Sequence, residues 1–203
     1  MIPKLSSSAI ALALTFSHPV NPAIGESDFA VVRAATARFQ DVNVAIAEGY
    51  VRDPMSACDA AQMIGRPIGT GVHYFRPDLL DDKTSANGAR GDLGKPGILI
   101  YEPRPDGSLE LVAVEELKLK WAWREAGEPE QPKVHGAPNE LMADNPATKI
   151  NEAQMFQPHY DRHVWIFRDN PREVFASFNR NTNCPADEAS TAGAPRPDHS
   201  GDR

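Results

Sequence analysis

Three histidines set in two apolar runs are the residues of this chain with chemistry to offer. His73 lies within Gly71-Val72-His73-Tyr74-Phe75, and His159 and His163 lie within His159-Tyr160-Asp161-Arg162-His163-Val164-Trp165-Ile166-Phe167. An imidazole inside an otherwise apolar strand marks a polar spot in a core, and a buried polar group needs a partner. Carboxylates able to serve stand in three similar places: Glu102 after Ile98-Leu99-Ile100-Tyr101, Glu115 after Leu111-Val112-Ala113-Val114, and Asp161 between the two late histidines. Two imidazoles and one carboxylate make a workable set for a divalent metal ion, with one position left for water. The same groups would serve general acid–base chemistry. They would equally satisfy an ordinary core, in which a buried histidine bonds a carboxylate or a backbone carbonyl. The spacing contains neither His-Glu-x-x-His nor His-x-His, so no motif decides among these readings.

Strand geometry narrows the set. Side chains two apart share a face, so Asp161 and His163 can look into one pocket. His159 and His163 are four apart, about 13 Å along an extended strand, and cannot share an ion unless the chain bends. Pro158 puts His159 at the strand entrance, where a bend is possible. Of the adjacent acids Glu115 and Glu116, Glu115 shares its face with Leu111 and Ala113 and is the inward one. The candidate set is therefore His73, Glu115 and His163, with His159, Asp161, Tyr74 and Glu102 in second place.

Those residues need elements to hold them. Phe29, Val32, Ala35, Phe39, Val42 and Ile46 recur at steps of three and four, which predicts one helix from Ser27 to Glu48 with Ser27 as its cap and Gly49 at its end. A helix with one apolar face needs something flat to lie against, and a sheet is the natural partner. Strands are expected at Thr70–Phe75, at Ile98–Glu102 with a return over Leu109–Lys120, and at Arg162–Phe167. Pro103-Arg104-Pro105-Asp106-Gly107-Ser108 supplies the hairpin turn. Trp121–Ala126 extends that strand or begins a short helix. Asp81–Gly97 reads as a surface excursion, and Glu128–Gln157 as a long loop that is functional or mobile. His135, within it, reads as a lid residue or as a solvated one. The expected fold is α+β: a long N-terminal helix on a curved antiparallel sheet of about four to six strands, with long loops over one end.

Composition excludes several functions. The 203 residues carry a formal charge of −7 and have no lysine or arginine cluster, which argues against a nucleic-acid face or an anionic membrane surface. With 18 prolines and 14 glycines the chain is rich in loops. There is no Gly-x-Ser-x-Gly, and Gly88–Lys95 lacks both the spacing and the Ser or Thr of a phosphate loop. Lys4 followed by Ala9–Phe16 reads as a signal peptide or disordered leader over residues 1–25, too short to span a bilayer. A single domain is expected over 26–184, and a disordered tail of Ala, Ser, Pro and charge over 185–203. Cys58 and Cys184 stand alone, without a Cys-x-x-Cys pair. In an exported chain they would form one disulfide; otherwise they are two unrelated buried thiols.

Many of these residues together resemble a family of small exported bacterial proteins without an assigned activity. The likeness runs from Ala35-Thr36, Phe39 and Asp41 through Ala47-Glu48-Gly49-Tyr50 to Gly71-Val72-His73-Tyr74 with Pro77 and Leu79. It continues in Tyr101-Glu102-Pro103, Asp106-Gly107 and Leu111–Glu115. It closes with His159-Tyr160-Asp161-x-His163-Val164-Trp165, Asn170-Pro171, Phe175-Ala176 and Cys184. The resemblance implies export and a bridge from the late cysteine to the Cys58 region, and it carries no catalytic residue to transfer. The chain departs from it at Thr70-Gly71-Val72, where members read Met-Gly, and at Glu115-Glu116, where they have a single acid. The function expected is binding of a metal ion or small ligand, in an exported compartment, by a pocket built on His73, Glu115 and His163. The alternatives are a hydrolase- or lyase-type enzyme with a histidine base and a structural or interaction protein whose histidines satisfy its core.

Overall fold

A computed structural model describes residues 26–54, 58, 69–80, 92–128, 130–144, 147, 153 and 156–184. The expected leader, the tail and most of the 81–97 excursion lie outside the described residues. The fold is α+β. Six strands form one antiparallel sheet: β1 (Val51–Arg52), β2 (Val72–Phe75), β3 (Ile98–Pro103), β4 (Leu109–Leu119), β7 (Glu140–Met142) and β8 (His159–Val164), in the order β1-β2-β3-β4-β8-β7. A separate two-stranded ribbon pairs β5 (Lys133–Val134) with β6 (Ala137–Pro138). The β3–β4 hairpin forms as the Asp-Gly turn predicts, with Gly107 at φ +82°. Trp121–Ala126 begins a helix, α4 (Lys120–Glu125), while α3 is one turn at Pro77–Leu80.

The single long helix is not found. Its residues divide into α1 (Glu26–Thr36), a 3₁₀ turn (Ala37–Gln40) and α2 (Val42–Ala47). The Thr36 hydroxyl donates to the Val32 carbonyl, a local bond that bends helices. Asp41 then leaves helical geometry and accepts from the Asn43 amide, capping α2 afresh. The break turns Phe39, Ala45 and Tyr50 into the core but leaves Ile46, expected on the buried face, half exposed.

These helices cover one face of the sheet. Phe29, Val32 and Phe39 pack there against Tyr74, Leu99, Tyr101, Val114 and Val164. The opposite face carries Ile98, Ile100, Ala113, Leu117 and Leu119, closed by Leu80, Ala122 and Trp165. A β-bulge separates the two sets within β4: Ile100 lies opposite Ala113, yet Tyr101 lies opposite Leu111, so Val112 is the extra residue. Leu111 therefore faces the helices and does not share a side with Ala113 and Glu115 as expected. The last strand also runs earlier than expected, over His159–Val164, and the long loop contributes β5, β6 and β7.

Candidate metal centre

The face away from the helices holds the chemistry. Cross-strand register sets Glu115 opposite His163 on β8, and His73 of β2 opposite Ile100 on β3, whose partner on β4 is Ala113. Alternation then places His73, Glu115 and His163 on one side of the sheet. Strands β3 and β4 stand between β2 and β8, so a flat sheet would separate the two histidine backbones by about 14 Å. Their Nε2 atoms are 3.4 Å apart. The two side chains therefore lean toward each other across β3 and β4 and meet at Glu115.

The three donor atoms form a nearly equilateral triangle. His73 Nε2 lies 3.3 Å from Glu115 Oε2, His163 Nε2 lies 3.5 Å from the same oxygen, and the imidazole edge is 3.4 Å. All three residues are buried, with 8%, 3% and 8% of their surface exposed for His73, Glu115 and His163. Good N–H···O hydrogen bonds are shorter, about 2.7–3.2 Å. Among the described residues Glu115 Oε2 has no hydrogen-bond partner. A tetrahedral ion holding N and O ligands at about 2.0–2.1 Å spaces them about 3.3–3.4 Å apart, which the three edges match.

Surrounding groups hold the His163 ring. His163 Nδ1 lies 2.8 Å from the Ser177 carbonyl; a carbonyl only accepts, so Nδ1 carries a proton and Nε2 is the ring nitrogen that faces the cluster. The Trp165 ring stands edge-on to His163 at 5.9 Å, and its Nε1 donates to the Ala176 carbonyl. The electrostatics of the three groups are lopsided. Burial lowers the His73 pKa, and the Glu115 charge only partly offsets it. Burial acts on His163 too, yet the Glu115 charge, the Asp161 charge and the Ser177 carbonyl outweigh it and push His163 up to about 9. Glu115 is held below the usual carboxylate range: burial works against its charge, and His163 and His73 prevail.

The second-choice residues separate from this cluster. Asp161 shares the face, two residues from His163, and burial with the nearby Glu115 charge pushes it up to about 8. His159 shares the face too, but its Nδ1 donates to the Gln157 carbonyl and its Nε2 stays 3.9 Å from Asp161. Tyr74 points the other way, edge-on to Tyr101 in the helix-side core. Glu102 is fully buried, but between Arg104 and Arg168 at 3.1 and 3.2 Å. Trp121 and Trp123 bond Gln157 and the Glu130 carbonyl, outside the cluster. His135 occupies the β5–β6 turn against Phe29, on the helix side. Sequence reasoning missed Ser177, because a backbone carbonyl leaves no signal in residue type.

The expected cysteine pair is a disulfide, Cys58–Cys184, and no described helix is long and apolar enough to cross a membrane. No family model matches the chain, and no curated protein and no solved structure matches it.

Proposed function

We propose that this protein binds a divalent first-row transition-metal ion through His73 Nε2, Glu115 Oε2 and His163 Nε2. The observation that carries the reading is the triangle of donor atoms. Its edges are too long for good hydrogen bonds and suit tetrahedral ligation. Two imidazoles favour zinc, copper, nickel or iron over magnesium or calcium. Three atoms this close admit an ion more readily than an organic ligand. The hydrolase- or lyase-type reading would ask a substrate to reach side chains less than a tenth exposed, so the geometry gives it less support. The disulfide suits an oxidising compartment, in line with the export that the resemblance implies.

Elemental analysis of protein purified without a histidine tag provides the test. One equivalent of metal is expected, with cobalt(II) substitution giving the intense visible absorption of a tetrahedral site. Both signals disappear in Glu115→Ala. Metal-free protein that takes up no cobalt while folded would leave the histidines as core residues.

A further inference from the structure

We propose that the Cys58–Cys184 disulfide is a redox latch on this site, so that its reduction loosens both histidines and lowers metal affinity. The inference rests on the metal-binding reading above. It starts from the segment after β8. Three successive carbonyls, Phe175, Ala176 and Ser177, accept from side chains on or just after β8: Arg162 at 3.1 Å, Trp165 at 2.6 Å and His163 at 2.8 Å. The Ser177 bond sets the His163 ring. Two residues on, the Asn179 amide donates to the Gly69 carbonyl at 3.1 Å, joining this strap to the chain that leads into β2. A Cβ on Gly69 would stand 2.5 Å from the Thr182 carbonyl oxygen, so strap and β2 lead are in close backbone contact.

The disulfide closes the other side of the same ring. The Cys58 carbonyl accepts from the Thr70 amide at 2.9 Å, the Thr70 hydroxyl at 3.1 Å and the Gly71 amide at 3.3 Å. Gly71 sits at φ +77° against β3, where a Cβ would meet Ile100 at 2.5 Å, and β2 begins at the next residue. The backbone that sets His73 therefore hangs on Cys58, and the backbone that sets His163 runs to Cys184. The covalent bond between them spans a sequence separation of 126 residues. A metal site depends on ligands held to a few tenths of an ångström, and the groups behind those ligands change affinity by about 10–100-fold when lost.

The switch needs a dithiol reductant. Its thiolate attacks one cystine sulfur, the S–S bond breaks and a mixed disulfide forms. Its second thiol then displaces that cysteine, leaving two protein thiols and an oxidised, cyclic reductant. Free thiols would themselves bind metal, so the test uses Cys58→Ala/Cys184→Ala and compares its cobalt(II) affinity, by chelator competition, with that of the oxidised full chain. The variant is expected to bind at least tenfold more weakly while its near-ultraviolet circular dichroism stays native. Equal affinity in a folded variant overturns the latch and leaves the metal site standing. Absence of binding by the oxidised wild type overturns the metal site and the latch with it. Reduction of the wild type followed by alkylation of both thiols, which opens the bridge without freeing metal-binding sulfur, gives a second reading should the double variant not fold. A several-fold loss supports the latch, and wild-type affinity overturns it.

Discussion

On the helix side of the sheet, Tyr50 and Tyr101 bury whole phenols, and each hydroxyl finishes on a backbone carbonyl: Pro96 at 2.6 Å and Phe39 at 2.8 Å. On the other side, Glu115 Oε2 is buried as deeply and ends on nothing closer than two imidazole nitrogens beyond good hydrogen-bond distance. The phenols are polar groups satisfied within the fold. The carboxylate oxygen and the two Nε2 atoms instead stand in a triangle whose edges are longer than good hydrogen bonds. Leaving a buried acceptor unsatisfied costs about 1–3 kcal/mol, more when it is charged, so the two sides should answer differently to substitution and to added metal.

The largest effect is expected on the helix side. Phe39 is 1% exposed, packs edge-on against Tyr50 and anchors the broken helix to the sheet. Phe39→Ala should lower the free energy of unfolding in urea by about 3–5 kcal/mol. A loss under ~1 kcal/mol would mean that the helix layer is loosely attached. The side that carries the triad should behave in the opposite sense. Replacing His73, Glu115 and His163 together by Leu, Met and Leu should leave metal-free stability unchanged or raise it, by up to about 4 kcal/mol. A marked fall would show that the triad already stabilises the fold without an ion.

Metal should sharpen the contrast. Zinc at a hundred times its dissociation constant is expected to stabilise the wild type by about 2.7 kcal/mol and Glu115→Ala not at all, read as a shift in the urea midpoint. The same shift in both proteins would move binding away from this cluster. The smallest effect concerns the phenols. Burial raises the pKa of both Tyr50 and Tyr101 above the usual value of 10. A group whose pKa is raised by folding stabilises fully below its unfolded pKa, and that contribution is lost as pH rises beyond it. Stability should therefore be flat across this titration up to about pH 10 and fall above it. Tyr101→Phe should cost about 1 kcal/mol at neutral pH and make the alkaline fall shallower. An identical pH slope in the variant would show that Tyr101 does not contribute to it.

The parts of the site that were legible in the sequence are those governed by local geometry. Alternation along one strand puts Asp161 and His163 on one face and sets His159 further along it; in the structure His159 bonds the Gln157 carbonyl and stays outside the triangle. Glu115 was identified as the inward acid partly through Leu111, which the Val112 bulge turns to the helix side; Ala113 alone carried that inference correctly. Tyr74 and Glu102 were placed near the site because their strands are there. The side each one faces, and the two arginines that claim Glu102, depend on strand pairing and on Arg168, which is distant in sequence. The helix over Ser27–Glu48 kept its periodicity on paper, since a 3.6-residue pattern does not reveal that Thr36 and Asp41 spend their side chains on the backbone.

By itself the sequence determined an antiparallel hairpin at Asp106-Gly107, a lone cysteine pair and polar residues set into apolar strands. Each of these follows from backbone preference or from side-chain chemistry within a few residues. Tertiary structure alone decided that β2 and β8, with two strands between them in the sheet, present their imidazoles to the same carboxylate oxygen. That meeting depends on strand order and register, which bring together residues 90 positions apart and have no counterpart in local sequence.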